Sequence, residues 1–272
     1  MSAAAACPVR PAAAGWRLVL ATDLDGTFLG GTPEDRARLY RWIARHRAEI
    51  GLVFVTGRDL DFIRALCAGA VADAPDAPSP DYVVADVGTT VARMEVTDGG
   101  PRLIPLAELE APIAAAWGDR SAFVRATLAD QPGLRLQETA FRHRVSYHYD
   151  PARHDPAATA PLRAAGLDIL VSAGRFLDVL PGGVNKGSTL LALLDHLALD
   201  RDRVLVAGDT LNDLAMFRTG LRGAVVGGAE PALLAETGAL PRVRHCRAAG
   251  AAGIAEAISA FGLHPQPPEA FA

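Results

Sequence analysis

The chain has 272 residues, half of them hydrophobic, with 27 Lys and Arg against 31 Asp and Glu for a formal net charge of −4. That length fits one large domain or two modest ones, and a mildly acidic chain with scattered arginines offers no basic surface for nucleic acid or an anionic membrane. Cys7, Cys67 and Cys246 share no Cys-x-x-Cys spacing. They argue against a disulfide framework and a zinc site and for a reducing, cytoplasmic compartment, and no run of about 18 apolar residues predicts a membrane span.

Residues 1–15 read as a disordered Ala/Pro-rich leader without the basic start and apolar stretch of a signal peptide. The pattern then predicts a strand at 17–22, a helix at 33–49, a strand at 51–55, a helix at 59–69 and a strand at 81–85. Residues 73–80 are a breaker-rich loop, and Asp98-Gly99-Gly100-Pro101 turns between two short strands. A helix near 108–129 follows, then strands near 134–137 and 141–149, a helical piece near 156–165, and strands at 167–171 and 175–180. The last third alternates again: helix 186–199, strand 203–207, helix 211–217, strand 223–226, helix 230–236 and helix 251–261. Alternating strands and helices at both ends predict an α/β fold with a parallel sheet wrapped by helices. The middle reads as an inserted α+β unit. The expected division is a core of 16–107 and 182–272 around an insert of 108–181.

Four segments carry chemistry. Asp23-Leu24-Asp25-Gly26-Thr27 ends the apolar run at 17–22. Residues i and i+2 of an extended chain share a side, so Asp23 and Asp25 are expected to enter one cleft. Gly26 permits a close turn, and Thr27 adds a hydroxyl. Val53-Phe54-Val55-Thr56-Gly57-Arg58 is an apolar strand ending in a hydroxyl and an open amide, a combination that can hold a phosphoryl oxygen. Gly183-Val184-Asn185-Lys186 opens a helix with a lysine where the dipole disfavours it, which points to an anion nearby. Val206-Ala207-Gly208-Asp209-Thr210-Leu211-Asn212-Asp213 again ends a strand in carboxylates. Asp23, Asp209 and Asp213 are hard oxygen donors suited to Mg²⁺, and strand-borne sites in open α/β sheets gather at the carboxyl ends of the strands.

In this order the four segments resemble motifs one to four of the haloacid-dehalogenase-like (HAD) hydrolases, with the insert where a type IIB (C2B) cap belongs. Gly174-Arg175-Phe176-Leu177-Asp178-Val179-Leu180-Pro181, Leu134 to Thr139, Arg142 to Tyr147 and Val87-Gly88-Thr89-Thr90 are similar to segments of the sucrose-phosphatase group. Ala173-Gly174 stands where that group commonly has two glycines. The resemblance implies a Rossmann-like core and a Mg²⁺-dependent phosphatase. In it Asp23 is the nucleophile that becomes phosphorylated, and Asp25 is the acid and then the base. Thr56, the Gly57 amide and Lys186 bind the phosphoryl group. Asp23, Asp25 (through its carbonyl), Asp209 and Asp213 hold the metal, and Asn212 is an accessory.

Alternation from Phe141 to Asp150 places Arg142, Arg144, Ser146 and His148 on one face. Arg142, Arg144 and His148 are therefore candidate sugar contacts, and Arg175 is a further candidate. The remaining histidines, His46, His154, His196, His245 and His264, have no spacing that implicates them. The expected partner is a small sugar phosphate, sucrose 6-phosphate-like, with no nucleic acid or membrane, acted on by a monomer or homodimer. The rival readings are a phosphomannomutase-like mutase and a non-catalytic sugar-phosphate-binding regulator.

Overall fold

The computed structural model describes residues 15–97, 100–139 and 141–269. Residues 1–14 of the expected leader, and Asp98 and Gly99 of the expected turn, lie outside the described residues.

The central sheet forms around β1 (Leu18–Thr22). Leu18 and Leu20 enter one apolar cluster and Val19 and Ala21 the other. Side chains alternate across a strand, so both faces of β1 are covered and the strand reads as a continuous apolar run. β1 pairs in parallel with β2 (Ile50–Val55) and with β10 (Val204–Gly208). β3 (Tyr82–Ala85) extends the parallel sheet beyond β2, and β11 (Arg222–Gly227) and β12 (Val243–Ala249) extend it beyond β10. An antiparallel hairpin of β4 (Thr90–Thr97) and β5 (Gly100–Pro105) completes the order β12-β11-β10-β1-β2-β3-β4-β5. β12 escapes the sequence pattern. It is an edge strand in which only Cys246 is buried, so Arg244, His245 and Arg247 leave no apolar alternation to read.

Three of the helices on the sheet begin with side-chain caps. Thr32 and Asp35 form a capping box ahead of α1 (Pro33–Arg45), and Pro33 occupies its first turn. The helix stops four residues short of its expected end. Residues 46–49 instead turn so that the Glu49 carbonyl accepts the Arg17 and Leu18 amides at the entrance to β1. α2 (Leu60–Cys67) is capped by Asp59, and α6 (Lys186–His196) by Asn185 with Ser188. The last helix, α9 (Gly250–Ala260), buries most of its length.

A second sheet, ordered β6-β7-β9-β8, is antiparallel. Its strands are β6 (Leu134–Leu136), β7 (Val145–Tyr149), β8 (Leu167–Ser172) and β9 (Phe176–Pro181). It has its own apolar cluster, with Trp117, Val124, Leu128, Tyr147 and Leu162 at its centre. The helix expected over 108–129 is two helices, α3 (Ala107–Trp117) and α4 (Ser121–Leu128). Gly118 and Asp119 both take left-handed backbone angles and break the run. The expected strand over 141–149 begins only at Val145, so the alternation argument does not extend to Arg142 and Arg144. No helix among the described residues is long and apolar enough to cross a membrane.

Candidate active site

The site lies at the carboxyl ends of β1, β2 and β10, beneath the second sheet. Its floor is a knot of charge. Lys186 is fully buried, and its Nζ donates to Asp23 Oδ1 at 2.6 Å, Asp213 Oδ1 at 2.7 Å and Asn212 Oδ1 at 2.9 Å. The lysine tolerates the first turn of α6 because two carboxylates face it there. Burial alone would lower its pKa, but Asp213 and Asp23 outweigh burial and raise it, so the ammonium is fixed.

The backbone brings these groups together. Gly26 has a φ of 78°, and a Cβ there would lie 2.1 Å from Asp209 Oδ2. A Cβ at Gly208 would press on the Asp213 carboxyl group. Both glycines let the carboxylates close in. Thr27 donates to Asp209 Oδ1 at 2.9 Å, and Asp213 Oδ2 accepts the Asp209 and Thr210 amides.

One carboxylate oxygen from each of Asp23, Asp209 and Asp213 lies within 4.8 Å of the others. Burial pushes Asp23 well above the usual carboxylate range; Lys186 opposes this, while Asp213 and Asp209 add to it. Asp209 is pushed up to about 7, by burial first and then by Asp213. Three converging carboxylates with one lysine among them leave negative charge uncompensated. This donor set fits a small divalent cation held by carboxylates.

Asp25 stands at the rim of a cavity of about 690 Å³. Arg58 holds it by two hydrogen bonds, Nε to Oδ2 and Nη2 to Oδ1, each 2.8 Å. Asp23, Asp25, Gly57, Asp209 and Asn212 line the cavity from below. Thr56 and Lys186 are fully buried behind that lining, and the Thr56 hydroxyl accepts the Arg58 amide at 3.1 Å.

Arg144, His148 and Arg175 line the cavity from above, together with Phe141 and Phe176. The Arg144 guanidinium lies 3.6 Å over the Phe141 ring. It donates to Asp178 at 3.1 Å and to the Gly57 carbonyl at 2.9 Å. It therefore joins the roof to the loop that carries Thr56 and Gly57. Arg142 stands apart from the cavity lining, forked onto Glu110 at 2.7 and 3.0 Å.

Sequence reasoning did not single out Arg58, Asp178 or Asp86. Arg58 directly follows Thr56-Gly57 and was visible as a cation beside a candidate phosphate loop. Asp178 is a carboxylate in the apolar strand β9, held by Arg144 and Ser146. Asp86 and Val87 have left-handed φ values of 54° and 59°, a strain that only the backbone records. Asp86 lies 3.6 Å from Arg144.

The sucrose-6F-phosphate phosphohydrolase pattern matches residues 16–262. The chain belongs to this family. It is 33% identical over 262 residues to the mannosylfructose-phosphate phosphatase of Agrobacterium fabrum, covering 91% of this chain and 98% of that protein. It is 43% identical over 248 residues to the glucosylglycerol-phosphate synthase of Pseudomonas anguilliseptica, covering 90% of this chain but 31% of the synthase. The sucrose-phosphatase of Synechocystis sp. PCC6803, solved with sucrose and phosphate, superposes with a TM-score of 0.78 at 26% identity, over 91% of this chain and 98% of that one. The fold is accordingly that of a HAD core with an inserted cap.

Proposed function

We propose that the chain is a Mg²⁺-dependent phosphatase that hydrolyses a glycoside or disaccharide phosphate, with residues 108–181 acting as the cap. The observation that carries this reading is the buried Asp23 carboxylate on the cavity floor, oriented by Lys186 and flanked by Asp209 and Asp213, with Asp25 at the rim.

The chemistry follows from those positions. An Asp23 oxygen attacks phosphorus, the bond from phosphorus to the sugar oxygen breaks, and Asp25 gives its proton to the departing oxygen. Water then attacks the phosphorylated Asp23, and Asp25 takes a proton from it. The bond between Asp23 and phosphorus breaks, and inorganic phosphate leaves. The Gly57 amide and the Lys186 ammonium stabilise the phosphoryl oxygens, since positioning and charge neutralisation dominate phosphoryl transfer. Mg²⁺ on Asp23, Asp209 and Asp213 would offset the repulsion between a phosphate dianion and this acidic floor.

The substrate proposed first is glucosylglycerol phosphate. The stretch shared with the glucosylglycerol-phosphate synthase spans nearly the whole of this chain and has the higher identity, 43% against 33% for the mannosylfructose-phosphate phosphatase. Its length is that of one whole phosphatase of the family. The roof supports a polyhydroxylated ligand, because His148, Arg175 and Gln137 offer polar groups beside the Phe141 and Phe176 rings. The test compares kcat/KM for glucosylglycerol phosphate, mannosylfructose phosphate and sucrose 6-phosphate. The reading predicts that glucosylglycerol phosphate is preferred at least tenfold; a higher value for either of the others overturns that choice.

A further inference from the structure

At the opposite end of the sheet, His46, Glu49 and His264 converge. One ligand atom from each lies within 4.8 Å of the others. His46 follows the last residue of α1, Glu49 precedes β2, and His264 follows α9. The two rings stand edge to face at 4.5 Å, and both pack on Trp42, at 5.5 and 5.2 Å. Glu49 Oε1 is 3.9 Å from His46 Nδ1, and Glu49 Oε2 is 3.9 Å from His264 Nε2.

The decisive atom is His264 Nε2. His264 is 4% exposed, and this nitrogen is buried with no hydrogen-bond partner. An unmet buried polar atom destabilises the fold. The other ring nitrogen, Nδ1, lies 3.0 Å from the Gln266 carbonyl and 3.2 Å from its amide. A metal-bound imidazole is commonly oriented in this way through its second nitrogen. His264 Nε2 faces the Glu49 carboxylate at a separation too long for a hydrogen bond, with His46 beside it. Two arginines adjoin the cluster. Arg17 pairs with Glu49 Oε2 from an exposed position, and Arg45 acts on His46 through its charge.

We infer that His46, Glu49 and His264 form a second cation site, for Zn²⁺ or a similar imidazole-preferring divalent transition ion. Two imidazoles and a carboxylate with one position left for water are a donor set that suits zinc and disfavours Mg²⁺. Closing the three donors around an ion held at about 2.0–2.2 Å needs them to move together by roughly an ångström. The site is structural. It ties the end of α1, the entrance of β2 and the segment after α9 at the amino end of the sheet. The length of β1 separates it from Asp23, about 16 Å at the usual rise per strand residue.

The test uses the full chain carrying Asp209→Asn, which weakens the acidic site, stripped with chelator and kept in saturating Mg²⁺. Zn²⁺ is titrated by calorimetry, and Co²⁺ by its visible absorption. The expected result is one Zn²⁺ per chain, a four-coordinate Co²⁺ spectrum and a rise in Tm on zinc addition. Glu49→Gln changes a partly exposed side chain and leaves the Glu49 backbone contacts intact, so it folds. It should weaken zinc at least about tenfold, as should His264→Gln. No zinc bound in the Asp209→Asn chain, or equal zinc affinity in a folded Glu49→Gln chain, overturns the site.

Discussion

Arg58 grips Asp25 with both arms of a planar fork, at 2.8 Å each. The two side chains are about half exposed, 48% and 55%, so the pair contributes little to stability and opens cheaply. Under the proposed mechanism, Asp25 would have to leave that fork to hold a proton for a departing sugar oxygen. On that mechanism Arg58 would act as a positioning residue that keeps Asp25 at the cleft mouth. Arg58→Ala should leave stability within about 1 kcal/mol of wild type and lower kcat about tenfold through loss of orientation. Asp25→Asn should lower kcat by about 10²–10⁴. A loss in Arg58→Ala as large as that in Asp25→Asn would contradict a positioning role.

Lys186 has the opposite energetics. It is fully buried between Asp23 and Asp213, and removing it strands two buried carboxylates. Lys186→Met should cost metal-free protein about 3–5 kcal/mol in denaturant unfolding. Mg²⁺ should recover part of that loss, because it neutralises the same charges. Unchanged stability would mean that the lysine is not the counter-ion of the floor.

The residues that meet at the candidate site were legible because they sit in contiguous stretches at strand ends. Asp23, Asp25, Gly57, Lys186, Asp209 and Asp213 each follow or open a predicted element, and the strands of the parallel sheet announce themselves by being apolar on both faces. What escaped depends on partners remote in sequence. Arg142 and Arg144 looked equivalent by alternation, yet the strand starts after them, so Arg142 turns to Glu110 while Arg144 bridges roof and floor. Edge strand β12 carried no apolar pattern because it buries so little. His46 and His264 meet only through the fold, since no local spacing joins the end of α1 to the segment after α9.

The floor also sets a pH dependence. The folded-state pKa of Asp209 is raised from 3.8 to about 7, and that of Asp23 is raised as well. A carboxyl raised on folding holds its proton more tightly in the native state, so its contribution is full below about pH 4 and is lost as pH rises through about 7. Metal-free protein should therefore lose stability between pH 5 and pH 8. The Tm gain from Mg²⁺ should be larger at pH 8 than at pH 5. A gain independent of pH would show that the ion does not sit on these carboxylates.

The roof predicts a split between substrates. His148→Ala and Arg175→Ala should raise KM for the sugar phosphate by about tenfold, the scale of one lost hydrogen bond to a charged or polar group. Both should leave hydrolysis of a small phosphate ester near wild type, because neither residue touches the floor. Equal losses on both substrates would remove them from sugar recognition.

The most direct measurement is inorganic phosphate release from glycoside, disaccharide and hexose phosphates with Mg²⁺, run in parallel on wild type and Asp23→Asn. The account predicts stoichiometric phosphate from one glycosyl phosphate, without any bisphosphate activator, and none from the folded Asp23→Asn chain. Phosphate that stays on an isomerised sugar and requires a bisphosphate would identify a mutase. Release that survives Asp23→Asn would contradict the account at its centre.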